Sequence, residues 1–207
     1  MALSLATVGA KITATFMNLI IAQVNAQGYT AVIPTSVAGT GVTLGAAGKV
    51  TFSASTAVSV NGCFTSDFDN YLLVFDFTTS GAAGLNITLR LAGTDAVTNY
   101  DSQRLLAQSA TASAAQSLAS TSWVGSGGAG VASATHSGTM TLFSPALAVA
   151  TRAQIDNNIT PNPMTTSAAY YKGALLHRTT TAYDGFTFTP GTGNITGNVR
   201  IYGFNNN

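Results

Sequence analysis

Apolar positions along this chain recur at two different spacings. Near the start, Ile12, Phe16, Leu19, Ile20 and Val24 fall three to four residues apart, the interval of one helix face. Thr13 can cap such a helix and Gly28 can end it, so the spacing predicts about four turns over residues 12–24. A helix this short is marginal alone in water, and its apolar stripe must be covered. Either the body of its own domain or copies of itself around a symmetry axis would serve. Residues 28–48, punctuated by Pro and Gly, then read as an extended connector.

From residue 50 onward the interval shortens to that of strands. Residues 50–59 alternate, and Asn61-Gly62 is a strong tight-turn signal. Residues 71–78 (YLLVFDFT) form an apolar and aromatic run suited to a central strand. In residues 85–91, Leu85, Ile87, Leu89 and Leu91 share one face, with Asn86, Thr88 and Arg90 on the other. Residues 105–135 are rich in Ala, Ser and Gly. They read as a short helix over 105–118 and then a loop, a candidate exposed feature or lap between subunits. Strands follow at 138–143 and 168–178, and residues 186–189 and 198–204 read as a closing hairpin around Pro190-Gly191. About eight strands in two layers predict an all-β, jelly-roll-like antiparallel sandwich over 49–207, preceded by a helical and extended attachment segment over 1–48. No period of 20–50 residues recurs, which excludes a solenoid or propeller.

Composition sharpens this picture. The chain is 46% hydrophobic but only 7% charged, against about 25% charged in an ordinary domain. Glu is absent, while Thr, Val, Tyr and Phe, which favour strands, are plentiful. A net charge of +1 with scattered basic residues argues against a nucleic-acid partner. Solubility normally leans on charge. A surface this neutral must be wetted by hydroxyls and amides, partly covered by neighbouring subunits, or both. The apolar run at 12–24 lacks a preceding basic cluster and is interrupted by Asn18 and Gln23, so it reads as structure and not as a secretion signal. At about 13 residues it is too short to span a bilayer, and no membrane partner is expected.

The order of motifs resembles small bacteriophage virion proteins of the tail-fibre, tail-tip and head-decoration type. The likeness is carried by Asn18 in the N-terminal segment, the Val-Ala-Gly-Thr-Gly-Val connector and Asn61-Gly62-Cys63-Phe64. It continues through Phe68-Asp69-Asn70-Tyr71 and through Leu89-Arg90-Leu91-Ala92-Gly93-Thr94-Asp95 with Asn99-Tyr100. The last shared motif is Thr196-Gly197-Asn198-Val199-Arg200-Ile201-Tyr202-Gly203-Phe204. It spans most of the chain outside 105–135, and its motifs are structural. The resemblance implies a β-sandwich subunit of a homo-oligomer, often a trimer, that contacts other virion proteins and is assembled in the cytoplasm of a bacterial host. A tail-associated component is the first expectation, with capsid decoration or a head fibre as the alternative.

Candidate chemistry is sparse. A lone Cys63 excludes an intrachain disulfide and any Cys-based metal cluster. His136 and His177 are far apart and lack zinc-ligand spacing. Asp67 and Asp69 precede Asn70 without the distal acid a Ca²⁺ loop needs, and Asp and Asn also start turns. There is no Gly-x-Ser-x-Gly elbow, and the Gly-rich run at 125–130 lacks the Lys-Ser/Thr pair of a phosphate cradle. The expectation is a non-enzymatic protein without a cofactor or metal. Glycan binding stays open because Trp123, Tyr100, Tyr170, Tyr171 and Tyr183 fall in loops or at strand ends, where exposed rings would grip sugars. For each of them, packing in a core or interface is the competing role.

Overall fold

A computed structural model describes residues 28–82, 84–125, 133–161 and 168–204. The predicted N-terminal helix, with Ile12, Phe16, Leu19, Ile20 and Val24, lies outside these residues. The described chain is all-β and every strand pairing is antiparallel. Its strands are β1 (Tyr29–Val32), β2 (Ser36–Ala38), β3 (Val42–Leu44), β4 (Val50–Ser55), β5 (Val58–Asn61), β6 (Asn70–Thr79), β7 (Leu85–Leu91) and β8 (Thr94–Asp95). They continue with β9 (Tyr100–Gln108), β10 (Thr111–Ser120), β11 (Trp123–Val124), β12 (Thr135–Phe143), β13 (Thr151–Thr160), β14 (Ala169–His177), β15 (Gly185–Pro190) and β16 (Ile195–Phe204).

A ten-stranded sheet runs β10-β9-β14-β13-β12-β6-β16-β4-β3, with β1 also paired to β16. A six-stranded sheet runs β11-β7-β15-β5-β2, with β8 also on β7. The apolar run at 71–78 does become an interior strand, β6, between β12 and β16. Its alternation sends Tyr71, Leu73, Phe75 and Phe77 inward and Val74, Asp76 and Thr78 outward. From the facing sheet, Phe188 meets Phe75 edge-on, ring centroids 6.0 Å apart. Val58, Val60, Leu85, Ile87 and Leu89 complete the core between the layers. Leu91, expected on that same face, is 45% exposed because the chain is already turning into β8.

Residues 28–48 are extended as read, and their short strands join both sheets: β1 on β16, β2 on β5 and β3 on β4. Two sequence readings are overturned. Residues 105–118 are not a helix but most of the hairpin β9–β10, turning at Ser109 and Ala110, with Ser109 at φ 55°. The final pair of strands is not a hairpin either. β15 pairs with β5 and β7, whereas β16 pairs with β4 and β6, so the turn after Pro190 carries the chain from one layer to the other.

Candidate interaction surface

From β14 to β4 the inner side chains of the ten-stranded sheet are mostly core, while β10 is exposed on both faces, so the sheet's chemistry lies on the outer face and on this hairpin. Strand register aligns that face into rows. One row reads Ala112, Ala107, Tyr170, Asn158, Ser137, Asp76, Asn198, Thr51 and Thr43 from one edge to the other. The next reads Ala114, Leu105, Lys172, Asp156, Thr139, Val74 and Arg200. The third reads Gln116, Gln103, Ala174, Gln154, Thr141, Leu72 and Tyr202. Hydroxyls, amides and methyl groups therefore cover the face, and its few charges are largely matched. Asp156 takes an ion pair from Lys172 at 3.3 Å and a hydrogen bond from the Tyr170 hydroxyl. Asp101 accepts from the Ala119 amide and pairs with Arg178, and both hold its carboxyl below its ordinary range.

In the third row Ala174 is small between two glutamines. Two adjoining depressions of about 260 and 220 Å³ open there and share Gln103 and Ala174. Gln116, Leu118, Arg152 and Leu176 line the first, and Gln154, Leu105 and Lys172 help line the second. Leu105 and Leu118 are 56% and 58% exposed, so the groove offers amide hydrogen-bonding groups between apolar rims. That mixture suits a protein surface better than an ion or a small charged metabolite. Sequence reasoning missed the groove because it placed 105–118 in a helix and read no strand over 151–160. Residues 103–108 (QRLLAQ) show no polar–apolar alternation that would have marked a strand.

The five aromatic residues proposed for glycan do not form a site. Trp123, Tyr100, Tyr171 and Tyr183 are buried, and only Tyr170 is exposed, at 43%. The reason is that Tyr100, Trp123 and Tyr171 lie at inward positions of β9, β11 and β14, and the segment before β15 brings Tyr183 against them. Trp123 sits on β11 against β7, and its ring meets Tyr100 edge-on at 5.3 Å. His177 packs against Tyr100 and Tyr183 at 4.2 and 5.2 Å. The Tyr100 hydroxyl accepts the Leu89 amide at 2.7 Å, and the Tyr171 hydroxyl donates to the Val124 carbonyl at 2.5 Å. Burial raises the phenols of Tyr100, Tyr171 and Tyr183, that of Tyr171 to about 12.

The remaining polar candidates serve the fold. His136 stacks on Phe77 at 4.9 Å and meets the Asn157 amide at 3.1 Å, and burial pushes its imidazole down to about 4. Burial also lowers His177 and raises the Cys63 thiol. Asp67 bonds back to Thr65, as turn residues do, while the Asp69 carbonyl and the Asn70 side chain accept the Ser144 amide and tie the start of β6 to the end of β12. Arg90 is 8% exposed. It donates to Asn61, Ser59, Thr187, Asp95 and the Gly93 carbonyl, locking the β7–β8 turn onto the six-stranded sheet. Among the described residues no group of three or more His, Cys, Asp or Glu side chains is placed to hold a metal, and no helix is long and apolar enough to cross a membrane. Comparison with protein-family models, characterised proteins and solved structures finds no match to this chain.

Proposed function

We propose that this chain is a structural subunit of a bacteriophage particle, a homo-oligomer that works by binding its neighbours and not by catalysis. The observation that carries the binding half is the outer face of the ten-stranded sheet. It is broad, nearly neutral, surfaced with hydroxyls and amides, and grooved between exposed leucines. The particle half rests on the sequence resemblance, which makes the subunit a tail-associated component, often trimeric, attached through its N-terminal segment. Capsid decoration is the alternative placement. The jelly-roll reading belongs to the same proposal. It is supported by the way successive strands alternate between the layers, as at β4 to β5 to β6 and at β14 to β15 to β16.

A second reading, capture of a host glycan, now has a narrower basis: the exposed ring of Tyr170 on the sheet that carries the glutamine groove. Sugars need an exposed ring flanked by amides. Tyr170 and Phe143, exposed rings on this face, stand three rows apart in the register and cannot flank one sugar together, so neighbour binding is the better fit.

Light scattering on the purified chain tests the main proposal. Association through apolar burial and hydrogen bonds should be indifferent to salt, because screening acts on charges. The expected oligomer mass is the same at about 20 mM and about 1 M salt, where the Debye length falls well below 10 Å. Dissociation at modest salt would overturn it. An antibody to the chain that labels the tail in electron micrographs supports the tail placement, label on the head selects decoration, and unlabelled particles refute the virion role.

A further inference from the structure

We propose that β10 pairs edge to edge with the β10 of a second copy of this chain, antiparallel about a twofold axis at Ala114. β10 is the last strand of the ten-stranded sheet, and among the described residues nothing pairs with its outer edge. Exposed edges are normally blunted by Lys, Pro, brevity or a bulge. At the opposite end of the same sheet, β3 is only three residues long. β10 spans ten residues, TASAAQSLAS, with neither charge nor proline. Its one protection is the irregularity between Ser117 and Ser120, where Ala119 takes φ 48°. Residues 111–117 are left regular and open.

The register selects the partner. Thr111 and Gln108 face each other across the two-residue turn, so they form the first hydrogen-bonded pair of the hairpin. Alternation then points the N–H and C=O of Thr111, Ser113, Ala115 and Ser117 toward β9. Those of Ala112, Ala114 and Gln116 point outward. A second β10 centred on Ala114 sets Ala114 against its counterpart and Ala112 against Gln116. Every outward backbone group of the three residues then gains a partner. The twofold pairing is self-complementary, because each copy supplies the same three residues in reverse order.

Side chains agree with this register. Ser113 meets Ala115 on one face, and no like charges or bulky branched groups are opposed. On the other face Leu105, 56% exposed, lies beside Ala114, so the axis closes an apolar row of Leu-Ala-Ala-Leu. Seven residues span about 24 Å at about 3.4 Å each, which makes a narrow contact. Its area falls below the roughly 1,200 Å² of a standard interface, so the pairing is weak and concentration-dependent. It becomes populated where copies are held close together, as on a repeating surface. It does not depend on the particle reading, and it joins oligomers made by any other contact.

Cysteine cross-linking of the full chain tests the axis, since the native Cys63 is fully buried and does not compete. In the hydrogen-bonded pair at the axis the Cα atoms are about 5.5 Å apart, within disulfide reach. Ala114→Cys should therefore form a covalent dimer under mild oxidant, while the exposed control Ala107→Cys, one strand further in, should not. Equal cross-linking of the two overturns the proposal. Ala114→Pro removes an outward N–H only, so circular dichroism should be unchanged and the concentration-dependent step of self-association lost. Association equal to wild type refutes the pairing. Exchange of the Ala112, Ala114 and Gln116 amides should slow roughly tenfold between dilute and concentrated protein. Protection already present at high dilution would mean that another part of the same chain covers the edge, and would also refute it.

Discussion

The two buried imidazoles give this chain an acid sensitivity that can be worked out in advance for His136. The ring is 1% exposed, lies flat on Phe77 at an interplanar angle of 9°, and is held near pKa 4 against an ordinary 6.5. The folded value is depressed, so protons bind the unfolded chain preferentially. The stability this contributes is fully present above about pH 6.5 and is lost as pH falls toward 4. Linkage over that interval gives a loss of about 2 kcal/mol by pH 5 and about 3 kcal/mol by pH 4. Set against a typical total of about 5–15 kcal/mol, that is a large share. Urea unfolding at pH 7 and pH 5 measures it. His136→Phe keeps a flat ring on Phe77 but has nothing to titrate, and it leaves the Asn157 amide without its partner. No gain in stability is therefore expected at neutral pH, and the diagnostic is the slope with pH. Wild type should lose about 2 kcal/mol more than the variant between the two pH values. Because His177 is still present in both, the difference isolates His136. An equal loss in the two proteins would refute the reasoning.

Arg90→Ala should cost about 2–3 kcal/mol in thermal or urea unfolding, because it removes the donor shared by Asp95, Ser59, Thr187 and Asn61, although Asp95 is partly exposed and keeps the Thr187 hydroxyl. Arg90→Lys should recover less than half of that, since an ammonium cannot reproduce the guanidinium fork. Tyr100→Phe should cost about 1–3 kcal/mol by stranding the buried Leu89 amide. If it proves neutral in unfolding assays, the hydroxyl is not that amide's necessary partner.

Much of the sandwich was legible because single strands carry their own pattern. The continuous apolar and aromatic run at 71–78 placed β6, and Asn61-Gly62 marks the end of β5, where the chain bends with Gly62 at φ 61°. Three features were hidden. The β9–β10 hairpin was misread because Ala, Gln and Leu favour helix and its turn at Ser109-Ala110 lacks the Gly or Asn that usually signals one. The β15-to-β16 crossing was misread because adjacency in sequence suggests pairing, whereas which layer a strand joins depends on distant partners. Trp123, Tyr100 and Tyr183 look like loop aromatics in sequence, but the first two sit on β11 and β9, and all three rings pack around His177. The groove followed from the first of these errors: Gln103, Gln116 and Gln154 align only once β9, β10, β14 and β13 are neighbours.

The hairpin that the sequence hid is also where the scarcity of charge matters most. A chain with ordinary charge would carry Lys or Glu along a ten-residue edge and would be protected from pairing by them. Here β10 carries none, while Asp101 and Arg178, the charges at its base, are committed to each other and to the Ala119 amide. Arg104 of β9 reaches β10 at the Ser117 hydroxyl, outside the three pairing residues, so electrostatics does little to steer or oppose association at this edge. Its specificity must come from backbone register, and that explains why the regular stretch ends where it does. The irregularity after Ser117 limits the pairable length to the three outward residues around Ala114, and a longer open edge would admit several competing registers. Moving the irregularity outward should then loosen the register before it strengthens the contact.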